Sequence, residues 1–115
     1  MGYIRHHAIV VTSWKDSAIE QAHEVATKLF TWVSPISPPA VNGYRTFFVP
    51  PDGSKEGWED SNKGNDARDA LVTYMKSVVY EDGSRPLAWF EAQYGEDDYN
   101  TKITRDSDEY MRDRT

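Results

Sequence analysis

The sequence predicts an α+β fold: a ferredoxin-like β-α-β-β-α-β sandwich, an antiparallel four-stranded sheet with two helices on one face. Three observations predict it. Short runs rich in Ile, Val and Phe alternate with two segments whose apolar residues recur at helical spacing. The order along the chain is strand, helix, edge strand, strand, helix, strand. The two most apolar runs, HHAIVV and TFFV, fall on the first and third strands, which such a sheet holds at its centre. The proline-bearing run falls on the second strand, at an edge, where a missing ladder donor is tolerated.

Residues 3–12 read as the first strand, closed by the turn cluster Ser13-Trp14-Lys15-Asp16-Ser17. Ser17 then caps a helix, with Glu20 at the capping-box spacing. Ala18, Ala22, Val25, Ala26, Leu29 and Val33 share its apolar face. Pro35 ends it near Ser34, because the residue before a proline avoids helical geometry. Residues 36–41 form a proline-rich arm, Asn42-Gly43 a tight hairpin turn, and residues 44–49 the returning strand. Residues 50–64 form a long loop. Asn65 caps a second helix, with Asp66 and Asp69 near its positive end and Ala67, Ala70, Leu71, Tyr74, Met75 and Val78 on its apolar face. Gly83 lies past its end, and residues 87–94 make the fourth strand. Residues 1–96 are thus one domain, followed by an acidic tail, 97–115, partly disordered or adding a short edge strand at 101–104.

Composition removes whole classes of function. Leu, Ile, Val and Phe make up only 21 of 115 residues, near the composition of disordered chains, but four Trp and seven Tyr supply the area to close a small core. The formal charge of −6 argues against general nucleic-acid binding, and the basic residues form no stripe. No apolar run approaches the roughly 18 residues of a membrane span. The absence of cysteine excludes a disulfide scaffold, a thiolate metal site and a cysteine nucleophile. MGYIRHH lacks the pattern of a signal peptide, so a cytoplasmic location is expected. Neither HExxH, GxxxxGK[ST] nor GxGxxG occurs, and no metal or cofactor is expected.

Strand alternation puts Ile4, His6, Ala8 and Val10 on the face away from the helices, with Tyr44 and Phe48 of the third strand and Leu87, Trp89, Glu91 and Gln93 of the fourth. Exposing Val10, Phe48, Leu87 and Trp89 together leaves too much apolar area in water, so something covers this face. A second copy of the chain, packed sheet to sheet as a dimer, is the expected cover; a small ligand or the tail are the others. The same face would bring His6 near Glu91, an acid–base pair for a small dimeric enzyme of the ferredoxin-like oxygenase or isomerase type.

The 50–64 loop is the strongest local signal, since long loops in small domains are usually functional or disordered. Its Trp58 would stack on a base or an aromatic partner, or else fold back as a lid on the core. Lys63, beside exposed backbone N–H groups where the helix starts at Asn65, would hold an anion such as a phosphate. Arg5 and Tyr94 belong to the same end of the sheet, and Tyr44 and Arg45 complete the candidate ligand-binding set. A third reading makes the acidic tail and this loop a module that docks on a basic partner.

The segments GYIRHHAIVVTSW, NGYRTFF, PDGSKEGWEDS and YEDGS with WFEAQYG resemble small proteins encoded by tailed bacteriophages, over most of the chain up to about residue 109. These segments carry no catalytic signature, so the resemblance assigns no functional residue. It implies a role in the host cytoplasm against the host: inhibiting a defence protein or sequestering a nucleotide immune signal. The expected function is that of a non-enzymatic, homo-oligomeric binding protein for a small phosphate-bearing ligand or for a host protein.

Overall fold

A computed structural model describes residues 4–53, 57–95 and 101–108. Strand β1 (His6–Ser13) is followed by helix α1 (Asp16–Leu29), a single 3-10 turn (Val41–Gly43) and strand β2 (Arg45–Val49). Helix α2 (Glu59–Ser77) and strands β3 (Ala88–Tyr94) and β4 (Lys102–Asp106) complete the order. The four strands form one antiparallel sheet in the order β2-β1-β3-β4. The most apolar strand, β1, lies between β2 and β3 as expected.

The regular strands do not by themselves reproduce the expected ferredoxin-like set, and two segments make the difference. Residues 36–41 do not form a regular strand. Pro35, Pro38 and Pro39 have no N–H to give, which leaves Ser34, Ser37 and Ala40 as donors to Phe48, Thr46 and Tyr44 carbonyls at 3.0, 2.8 and 2.9 Å. The return bonds come to serine side chains: Phe48 N–H to Ser34 Oγ at 2.8 Å and Thr46 N–H to Ser37 Oγ at 2.9 Å. The segment thus takes three residues for every two of β2, with its prolines at the positions that do not bond. It still covers the β2 edge. At the other side, β4 pairs with β3, so the strand expected at an edge becomes central.

Asn42 (φ 61°) and Gly43 (φ 76°) supply the two consecutive positive-φ residues of the hairpin turn that the sequence predicts. Both helices begin earlier than expected. Lys15, not Ser17, precedes α1, and Ser13 Oγ accepts the Lys15 N–H at 3.1 Å while donating to the Pro86 carbonyl at 2.7 Å. Helix α1 stops at Leu29, freeing the chain to carry Ser34 to Phe48. Helix α2 starts at Glu59, not after Asn65, with Glu59 and Asp60 in its first turn. The second half of the expected loop is therefore helix.

The core lies between the helices and one sheet face. Ile9 and Val11 of β1, Phe47 and Val49 of β2, and Leu87 and Trp89 pack against Ala18, Ile19, Ala22 and Ala26 of α1 and Leu71, Val72 and Met75 of α2. Alanines at every fourth position let α1 approach the sheet closely. On β3 the expected faces are reversed: Trp89, Glu91 and Gln93 lie under the helices, and Phe90 and Tyr94 lie on the open face. The register decides this, since Trp89 and Glu91 stand opposite Val11 and Ile9. Among the described residues no helix is long and apolar enough to cross a membrane.

Candidate functional site

A polar network under the helices centres on Glu91, which is 4% exposed. Arg105 grips it through two bonds, Nε to Oε1 at 2.9 Å and Nη2 to Oε2 at 2.7 Å. Thr104 Oγ1 donates to Oε1 at 2.6 Å, and Arg68 of α2 brings its Nε to 3.8 Å from Oε2. Arg105 also holds Asp69 at 2.8 Å. Neighbours in a regular strand face opposite ways, yet Thr104 and Arg105 both reach Glu91, because a bulge between the Glu91 and Ala92 pairings inserts one residue in β4. Burial pushes the Glu91 carboxyl up, but the bonds from Arg105 and Thr104 and the charges of Arg105 and Arg68 outweigh it. The group is held below the usual carboxylate range. Glu91 thus fastens α2, β3 and β4 together.

That placement separates the expected acid–base pair. Glu91 stands opposite Ile9 and shares its face, whereas His6 stands opposite Tyr94 on the open face, with ring centroids 5.3 Å apart. His6 and Ile9 are three positions apart on β1, an odd offset that points them to opposite faces, so the sheet itself lies between the two groups. His23 is also structural: its Nε2 lies 2.9 Å from the Ser34 carbonyl and its ring meets Phe47 edge-on. Among the described residues no three His, Asp or Glu side chains are grouped to hold a metal.

An open groove lies where α1 ends, β2 exits and α2 begins. It has a volume of about 730 Å³ and is lined by residues 29–32, 50–53, Trp58, Asp60, Lys63, Gly64 and Ala67. Each wall follows from local sequence. The break after Leu29 turns Trp32 outward, Pro50-Pro51 stiffens the exit from β2, and the early start of α2 leaves Trp58 just before its first turn. Trp32 and Trp58 are 57% and 54% exposed, so Trp58 is not a lid buried on the core. Gly64 admits the neighbouring side chains: a Cβ there would stand 3.0 Å from Asp52 Oδ2 and 3.2 Å from Arg68 Nη1.

Of the six expected ligand-binding residues, the groove unites Trp58 and Lys63 alone. Lys63 lies inside α2, not at a helix start, and its Nζ is 3.5 Å from Glu59. Arg5 and Tyr94 occupy the same end of the sheet but do not line the groove. Tyr44 and Arg45 belong to the opposite end, where Arg45 pairs with Ser13 in the ladder. Arg45 is already engaged, donating to the Ser37 carbonyl at 3.0 Å and lying 3.6 and 3.7 Å from Asp16 and Glu20. Lys55 and Tyr3 lie outside the described residues. The sequence reading missed Trp32, because a helix drawn to Ser34 made it one more helical residue; the helix-ending Pro35 was the available signal. No family model, curated protein or solved structure matches the chain.

Proposed function

We propose a non-enzymatic binding protein whose working surface is the Trp32–Trp58 groove and whose partner is a protein segment bearing basic side chains. One observation carries this reading: two half-exposed tryptophans share an open groove with Asp52 and Asp60, while Lys63, its cation among the described residues, is drawn to Glu59. Indole faces attract guanidinium and ammonium groups, and the carboxylates add charge complementarity. The resemblance to small phage proteins would make the partner a host protein. The nucleotide reading rests on Trp58 and Lys63 lying in the same groove.

The test is a titration followed through the indole N–H signals, which distinguish four tryptophans. An arginine-rich peptide is expected to shift Trp32 and Trp58 but not Trp14 or Trp89, with affinity falling steeply as salt rises. Trp58→Ala should abolish the response and leave the protein folded. Saturable binding of ATP in the groove, with no response to the peptide, would replace this reading by the nucleotide one.

A further inference from the structure

We infer that the open face of the sheet is a homodimer interface, occupied by the same face of a second copy of this chain. The inference does not depend on what the groove binds. Phe48, Val10 and Phe90 stand in register, so they form one apolar row across β2, β1 and β3. Trp32 meets Phe48 edge-on at one end of the row, with centroids 6.3 Å apart; on β4 Asp106 stands opposite Phe90 and closes the row, and Ile103 adds apolar surface beside Ala92.

Area and charge both favour a second copy. Phe48, Phe90, Tyr94 and Ile103 are 44, 37, 36 and 51% exposed. At roughly 200 Å² for a large side chain, these four alone offer about 340 Å². A standard interface takes about 800 Å² from each partner, and the half-buried Ala8, Val10, Thr12, Thr46 and Ala92 on the same face contribute further area. A chain with a net charge of −6 repels its own copy over most of its surface. Among the described residues this face carries His6 at one end of β1 and Asp106 opposite Phe90 on the edge strand, and its other strand residues are uncharged. It is therefore the surface on which two copies can meet without opposing like charges. A two-fold axis needs one patch that complements itself, and a straight apolar row packed face to face meets that need.

Sedimentation velocity on the full chain across micromolar concentrations tests the inference. The expected result is a species of twice the 13.2 kDa chain mass that dissociates on dilution. Phe90→Asp and Phe48→Asp should each give a monomer with unchanged far-ultraviolet circular dichroism. A wild-type monomer at every concentration overturns the inference, and so does a dimer that survives both substitutions. Because the chain has no cysteine, Val10→Cys offers a second test that does not depend on destabilising the fold. A bismaleimide cross-linker of roughly 10 Å reach, the spacing of sheets packed face to face, should link two Val10→Cys chains, whereas Val41→Cys, on the exposed hairpin turn, should stay monomeric. Failure of Val10→Cys to cross-link overturns the inference. A monomeric Phe90→Asp protein that still binds the arginine-rich peptide would leave the groove reading intact, so the two failures are separable.

Discussion

The two sides of β3 carry opposite chemistry to what burial alone would assign. Glu91 and Gln93 are buried with Trp89 beneath the helices, while Phe90 and Tyr94 face away from them, partly exposed. The covered side tolerates a carboxylate because Arg105, Thr104 and Arg68 satisfy it. The exposed side keeps aromatic residues that nothing within the described chain covers. The side that looks polar in sequence is thus fixed by specific partners, and the side that looks apolar is left available. Stability resides on the first and, by the inferences above, association on the second.

The largest break in this contrast is Glu91→Gln. The substitution keeps the shape but leaves Arg105 and Arg68 facing a neutral group. Removing one member of a buried ion pair costs about 3–5 kcal/mol, so chemical denaturation should show a loss in that range. β4 should also lose hydrogen-exchange protection before the rest of the sheet, because Thr104 and Arg105 anchor it.

Acid sharpens the same contrast more gently. The folded Glu91 carboxyl titrates below the ordinary value of 4.5, so the unfolded chain takes up the proton first. The stabilisation from this group is fully present above about pH 4.5 and is lost as pH falls through the lower folded value. Denaturation midpoints measured from neutral pH downward should therefore fall below pH 4.5, and the Glu91→Gln protein should show a shallower fall over that window.

The legible parts of the fold were those written in local pattern. The Ile/Val run of β1, the Asn42-Gly43 turn and the Phe-rich β2 lie where periodicity and turn chemistry put them, and Leu71 and Met75 of the expected α2 stripe are buried, whereas Ala70 is exposed and Val72 takes its place in the core. What stayed hidden depended on distant partners. Ser34 and Ser37 replace strand carbonyls only because β2 is beside them. The facing of β3 turns on a register with β1 that its own alternation, apolar on both sides, cannot announce. The candidate site is legible in two residues, Trp58 and Lys63, and in the loop that leads to them. Asn65, a good capping residue, makes Lys63 look like a helix-start cation, yet tertiary packing caps α2 at Trp58, seven residues earlier.

The smallest expected effect is on the other side of the same strand. Phe90 is the neighbour of Glu91, but its ring is more than a third exposed and its removal opens a surface dip, not a closed cavity. In dilute protein, Phe90→Ala should cost about 1–2 kcal/mol, since the ring is only partly withdrawn from water and no closed-cavity term is added. The difference from wild type should then grow with protein concentration. A dimer stabilises its folded state by mass action, and Phe90→Ala removes part of the interface that supplies this stabilisation. Thermal midpoints recorded over a wide concentration range separate the two contributions. A gap that stays small at every concentration would mean that the aromatic side of β3 faces water alone. A large gap already present at high dilution would mean that Phe90 belongs to the core of the single chain.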